Sequence, residues 1–186
     1  MNAHRKPNRM PGDLSKKDML ERMIRVDHAG EYGAVRIYEG QLAVLGKSRS
    51  AGEIEHMADQ ERVHLEKFND LIRDRKVRPT ALMPFWHIAG FALGAGTALM
   101  GEKAAHACTV AVEEVIDEHY AEQIGALDAE GDERELRDTF EKFRLEELEH
   151  RDTALQNGAE EAPGYEGLKV AVRAGSKLAI WLSKRV

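Results

Sequence analysis

A single cysteine, Cys108, stands in 186 residues, so no intrachain disulfide can close and no thiolate zinc spacing exists. A lone thiol suits a reducing compartment. Prolines number only five while 42% of the residues are hydrophobic, which excludes a disordered or fibrous chain. Basic residues are not in excess: 27 Lys and Arg against 33 Asp and Glu leave a net charge of -6, with no field to draw in nucleic acid. The first residues, through Asp13, carry His4, Arg5, Lys6 and Arg9 but no apolar stretch of the kind an export signal needs. Alternating β-branched runs are missing, and so are low-complexity segments. Gly94 and Gly96 have no third glycine at Leu99 and no strand before them, which excludes a dinucleotide loop. Neither a phosphate-binding loop nor a nucleophile elbow is present.

What the chain has is helical periodicity. Short Pro and Gly clusters cut it into six segments, expected over about 15–46, 48–77, 81–100, 102–129, 132–155 and 163–183. Ser15 serves as the first cap, and Pro163 is read as a first helical residue. The length is that of one domain. Short connections between long amphipathic helices favour antiparallel neighbours, so the expected fold is all-α, a four-helix core with two additional helices. Residues 1–13 read as a flexible N-terminal segment and 14–186 as a single domain.

Each core helix puts a glutamate where a leucine belongs. In the first, Leu20, Ile24, Asp27, Glu31, Ala34, Tyr38 and Leu42 follow steps of three and four. The second places Glu61 between Ile54 and Phe68, the fourth places Glu113 between Thr109 and Ile116, and the fifth places Glu147 after Phe140 and Phe143. Buried carboxylates repel one another and cost several kcal/mol each unless something cationic compensates. The order repeats: a lone Glu31 precedes Glu61-x-x-His64, and a lone Glu113 precedes Glu147-x-x-His150. Glu and His three apart share one helix face and can grip one ion. Six such ligands match the carboxylate-bridged di-iron and di-manganese bundles, and mixed oxygen and imidazole donors suit iron or manganese.

A second Glu53-x-x-His56 fits the same spacing but lies off the apolar stripe beside Glu55, and is read as surface. Glu114, Glu146 and Glu149 adjoin the chosen glutamates, which phase nonetheless favours. Gly30 and Gly33, inside a helix at a cost of roughly 1 kcal/mol each, signal either a kink or close approach by a helix, a substrate or the metal pair. Tyr38 and Tyr120 each follow a lone glutamate by seven residues, as core tyrosines or as hydrogen-bond donors near the site. His28, His106 and His119 receive no role.

Between Thr80 and Gly101 no charged residue occurs, yet Pro84, His87 and the glycines make the stretch a poor membrane span. Phe85 and Trp86 suit an interface, and Gly90 with Gly94 is a weak helix-contact signal. From Pro163 onward Lys169, Arg173, Lys177, Lys184 and Arg185 face only Glu166, a basic amphipathic helix of the kind that lies on anionic lipid. Peripheral membrane attachment through these two helices is the expectation.

Five strings resemble a known family: Arg25-Val-Asp-His-Ala-Gly-Glu-Tyr-Gly-Ala34, Asp59-Gln-Glu-Arg-Val-His64, Arg78-Pro-Thr-Ala-Leu-Met-Pro84, Thr109-Val-Ala-Val-Glu-Glu114 and Glu146-Glu-Leu-Glu-His150. They are similar to the demethoxyubiquinone hydroxylases of ubiquinone biosynthesis, from about Met23 to Val186 and without departure at the six positions. The resemblance implies a ferritin-like bundle holding two iron ions on Glu31, Glu61, His64, Glu113, Glu147 and His150, with Glu61 and Glu147 reaching both. It further implies O₂ as co-substrate, NADH as electron donor, a polyprenylated quinone as substrate and a ubiquinone-biosynthesis protein complex among the partners. The implied location is peripheral, on the cytoplasmic face of a bacterial inner membrane or the matrix face of a mitochondrial one; the short N-terminus favours the bacterial source. A ferritin-like iron-storage or peroxide-scavenging protein built on the same site is the alternative.

Overall fold

The computed structural model describes residues 10–186, and it is helical throughout, without strands among the described residues. Most of the flexible segment expected over 1–13, its first nine residues, lies outside them. The helices are α1 (Lys16–Leu45), α2 (Ala51–Asp74), α3 (Met83–Leu99), α4 (Glu102–Glu130), α5 (Arg134–Gln156) and α6 (Tyr165–Ser183). The order is that of two helix pairs, each with a companion: α1 packs on α2 and α3, while α4 packs on α5 and α6.

Local chemistry sets the ends. Ser15 caps α1 by accepting from the Asp18 amide at 3.1 Å. At the far end of α2 the chain turns three residues before the expected Val77. Lys76 sits at φ 54°, the Val77 amide reaches back to the Ile72 carbonyl at 2.9 Å, and the Lys76 amide reaches Arg73 at 3.3 Å. That is the Schellman closure, built here on a lysine in the left-handed region that usually takes glycine. The sixth helix also starts later than expected. Pro163 stays outside because Gly164, at φ 70°, occupies the cap, and a short 3₁₀ turn, Ala159–Glu161, precedes it.

Glycine lets α3 settle against α1. A Cβ on Gly94 would stand 1.9 Å from the Ile37 carbonyl oxygen, and one on Gly40 would stand 2.3 Å from that of Phe91. No side chain fits there, so the expected Gly90 and Gly94 contact is a backbone-to-backbone approach. Elsewhere the core is apolar: Ile24, Phe68, Tyr120, Leu127, Leu136, Phe140 and Phe143 close one end of the bundle, while Tyr38, Ile54, Met57, Ala58 and Ala105 close the other. Between these two clusters lies a polar layer.

Candidate metal centre

All four long helices contribute to that layer. Glu31 of α1, Glu61 and His64 of α2, Glu113 of α4, and Glu147 and His150 of α5 converge, each at most 2% exposed. Ligand-capable atoms of Glu31, Glu61, His64 and Glu147 lie within 4.8 Å of one another, and so do those of Glu61, Glu113, Glu147 and His150. Glu61 and Glu147 belong to both groups. The stripe that would have been leucine therefore delivers two overlapping donor sets at one level of the bundle.

Imidazole orientation is consistent across the pair. His64 turns Nδ1 inward, 3.0 Å from Glu147 and 3.4 Å from Glu31, while His150 turns Nδ1 to Glu147 at 3.1 Å and Glu61 at 3.2 Å. Each Nε2 points outward, His64 to Glu146 at 2.8 Å and His150 to Gln60 at 3.0 Å. Phe143 stacks on the His64 ring with centroids 4.0 Å apart. Tyr38 of α1 donates to Glu113 of α4 at 2.9 Å, and Tyr120 of α4 donates back to Glu31 of α1. The two tyrosines are thus hydrogen-bond donors to the carboxylates, not merely core.

Burial pushes Glu61 and Glu113 well above the usual carboxylate range, and repulsion from Glu147 adds to it. Glu31 rises for the same two reasons against the pull of His64. Glu147 is the exception: burial acts upward, but the hydrogen bond from His150 and the nearby His64 ring outweigh it and hold the carboxyl low. Burial opposes the charge on His64, yet the carboxylates of Glu147 and Glu31 facing its ring drive it up to about 12, and His150 also rises through Glu147. Even so, Glu31 Oε2, both oxygens of Glu61, His64 Nδ1, Glu113 Oε2 and Glu147 Oε1 find no hydrogen-bond partner. Buried polar atoms without partners are rare and call for an occupant. The donor set, oxygen-rich with two imidazoles, fits divalent cations of the iron or manganese kind.

Neighbouring candidates fall elsewhere. Glu53 and His56 are exposed, as is Glu149. Glu114 pairs with Lys169 and Arg173 of α6, at 2.6 and 2.5 Å. His28 meets Asn69 at 3.0 Å, His119 faces Asp27 at 3.5 Å, and His106 is buried without a hydrogen-bond partner. Sequence reasoning missed the amides. Gln123 donates to the buried Asp27 at 2.9 Å, and Gln41 donates to the Ala105 carbonyl at 3.1 Å and Thr109 at 3.5 Å. The signal was available: a displacement of 82 positions carries Glu31, Tyr38 and Gln41 onto Glu113, Tyr120 and Gln123. One of 86 carries Gln60, Glu61 and His64 onto Glu146, Glu147 and His150.

Beside the polar layer lies an apolar cavity of about 400 Å³, bounded by α1, α3, α4 and α6. Gly30 and Ala34, which flank Glu31, line it, together with Val112 and Ile116, which flank Glu113. Gly30 and Gly33 also line it, and a Cβ on either would meet nothing within 4 Å. Both therefore leave room on the cavity side, while the Gly33 carbonyl also meets α3, 2.9 Å from where a Cβ on Gly90 would stand. The cavity reaches the surface between α3 and α6 at Phe85 and Leu178, which are 58% and 56% exposed.

The family profile described as "Ubiquinone biosynthesis protein COQ7" matches residues 18–183. This chain belongs to that family. It is 57% identical over 180 residues to the 3-demethoxyubiquinol 3-hydroxylase of Rhodospirillum rubrum, covering 96% of this chain and 84% of that one. It is 56% identical over 176 residues to the human mitochondrial NADPH-dependent 3-demethoxyubiquinone 3-hydroxylase, covering 94% and 81%. With the mitochondrial 5-demethoxyubiquinone hydroxylase of Saccharomyces cerevisiae it shares 39% over 182 residues, covering 90% and 78%. The matched span contains the polar layer and all the helices that line the cavity except the first two residues of α1.

Proposed function

We propose that this chain hydroxylates the ring of demethoxyubiquinol with O₂ in ubiquinone biosynthesis, using two iron ions held by Glu31, Glu61, His64, Glu113, Glu147 and His150. One observation carries the reading: a buried Glu and His cluster with unpartnered inward atoms stands directly beside an apolar cavity that opens between α3 and α6. Bound iron supplies the one-electron chemistry with O₂ that no side chain offers. One oxygen atom enters the ring C–H bond and the other leaves as water, so each turnover consumes two electrons and two protons. The relatives named NADPH-dependent point to a reduced nicotinamide as their source, with the phosphate that NADH lacks.

The protein's share is placement. Gly30 and Gly33 keep the cavity wide next to Glu31, Ala34 and Val112 supply an apolar wall against the ring, and Leu93 and Leu178 continue that wall outward for a prenyl tail. Tyr120 and Tyr38 fix the outer oxygens of Glu31 and Glu113, leaving their second oxygens free for metal. Burial keeps both phenols protonated, so they act as donors throughout.

The same opening supports attachment to the membrane. Phe85, Ile88, Leu99 and Met100 on or next to α3, and Val170, Leu178 and Trp181 on α6, are all half exposed or more. No helix of the described residues is long and apolar enough to cross a membrane. Of the basic residues expected to meet anionic lipid, Lys169, Arg173 and Lys177 pair with carboxylates of α4. Lys169 and Arg173 meet Glu114, and Arg173 and Lys177 meet Glu118 at 2.7 and 2.9 Å. Apolar side chains rather than charge therefore seat the protein on the leaflet, which faces the cytoplasm in a bacterium and the matrix in a mitochondrion. An iron-storage role has no use for the cavity.

The test loads the full chain anaerobically with Fe(II), adds demethoxyubiquinol in liposomes with a nicotinamide reductant, admits isotope-labelled O₂ and follows the quinone mass. One labelled oxygen in the ring, absent with Glu147→Ala, is the expected result. Iron oxidation with the quinol unchanged, under conditions where a control hydroxylase works, would overturn it.

A further inference from the structure

The two halves of the centre are related by the repeat, yet the groups behind the two imidazoles differ. The residue just before each Glu-x-x-His glutamate crosses to the other half: Glu146 accepts from the Nε2 of His64 at 2.8 Å, and Gln60 accepts from the Nε2 of His150 at 3.0 Å. Both interactions fix the tautomer that leaves Nδ1 free to face the carboxylates. They differ in charge. A carboxylate behind an imidazole makes the ligating nitrogen more electron-rich, and a neutral amide does so much less. Glu146 keeps 26% of its side chain exposed, with Lys142 as a loose partner at 3.7 Å, so no closer cation competes with His64 for it. No comparable carboxylate stands within hydrogen-bond reach of His150 Nε2 among the described residues; its one partner there is Gln60.

We infer that the two metal positions are unequal, and that Glu146, as a positioning residue behind His64, makes the position on Glu31, Glu61 and His64 the tighter one. The centre then loads in a fixed order, first beside His64 and second beside His150. This rests on the reading that the six residues hold two divalent cations, and its test separates the two claims.

The metal-free full chain is titrated anaerobically with Mn(II), and free Mn(II) is followed by its electron paramagnetic resonance. Wild type should bind two ions in steps whose affinities differ by about 10–100-fold, the range for loss of such an outer partner. Glu146→Gln should weaken the first step by about 10-fold or more and merge the two. Gln60→Glu should tighten the second step toward the first, a gain that damaged folding cannot mimic and that decides the matter if Glu146→Gln folds poorly. His64→Ala should abolish the tighter step and His150→Ala the weaker. Two equal steps in wild type, or two steps indifferent to both Glu146→Gln and Gln60→Glu, would overturn the inference while leaving the two-metal centre standing. No bound Mn(II) in wild type would overturn both.

Discussion

Two kinds of glycine make opposite predictions about stability. Gly30 and Gly33 lie inside α1, and an added methyl at either meets nothing within 4 Å. Alanine there recovers helix propensity worth about 0.8–1 kcal/mol per site, so Gly30→Ala with Gly33→Ala should add about 2 kcal/mol. At about 2–4 °C per kcal/mol for a chain of this size, Tm rises by about 4–8 °C. Gly94→Ala gains the same propensity but sets its methyl 1.9 Å from the Ile37 carbonyl oxygen and 2.7 Å from its carbon. Backbone cannot step aside as a side chain can, and overpacking of this kind costs about 1–3 kcal/mol, so Tm falls as α3 is forced off α1. Function runs the other way. Gly30→Leu should leave bound iron unchanged and Tm equal or higher, while turnover of a long-tailed quinol drops as the cavity narrows. Thermal melts of metal-free chains, followed by circular dichroism, decide the first part. A lower Tm for the Gly30 and Gly33 pair, or a higher one for Gly94→Ala, would refute this division of the glycines.

Lys76→Gly should stabilise the chain by about 0.5–1 kcal/mol, because a left-handed lysine costs about 1–2 kcal/mol and glycine returns part of that as entropy; urea unfolding measures it. Liposome flotation should respond weakly to about 1 M salt, which screens charges beyond about 3 Å, and strongly to Trp181→Ser with Ile88→Ser. The metal-free chain should lose stability as pH rises from 7 to 9, as melts across that window would show; below it His28 and His106, lowered by burial, act with the opposite sign. Glu31, Glu61 and Glu113 have folded values raised above 4.5, so the folded state holds more protons there. The stabilisation from His64, complete below 6.5, is likewise lost toward its folded value of about 12. Glu147, held low, contributes fully above 4.5 and does not reverse the sign. Saturating Fe(II) under anaerobic conditions should invert the trend, since metal binds the deprotonated ligands.

Helix positions were legible in sequence because steps of three and four, apolar except at the polar positions of the candidate centre and Asp27, run across Leu20 to Leu45 and Leu136 to Ala154. Their ends were less so. A Schellman turn on Lys76 leaves no glycine to read, and Pro163 looks like a helix start until Gly164 takes the left-handed cap. The six residues of the candidate centre were legible because a carboxylate on an apolar stripe is costly, and four of them in a repeat are hard to explain otherwise. Gln41, Gln60 and Gln123 were not, since a glutamine beside a stripe resembles any solvated residue until the two halves are superimposed. Nor could charge counting foresee that Lys169, Arg173 and Lys177 turn toward Glu114 and Glu118, because ion pairs between helices distant in sequence depend on packing angle.

The claim that everything else depends on is that these six residues hold two metal ions. Crystals of the chain grown anaerobically with Fe(II), with diffraction collected on both sides of the iron absorption edge, locate iron directly. Two anomalous peaks are expected, one among Glu31, Glu61, His64 and Glu147 and one among Glu61, Glu113, Glu147 and His150. Both should vanish or collapse in Glu147→Ala and persist in Glu53→Ala. Iron bound away from this layer, or two peaks undisturbed by Glu147→Ala, would contradict it.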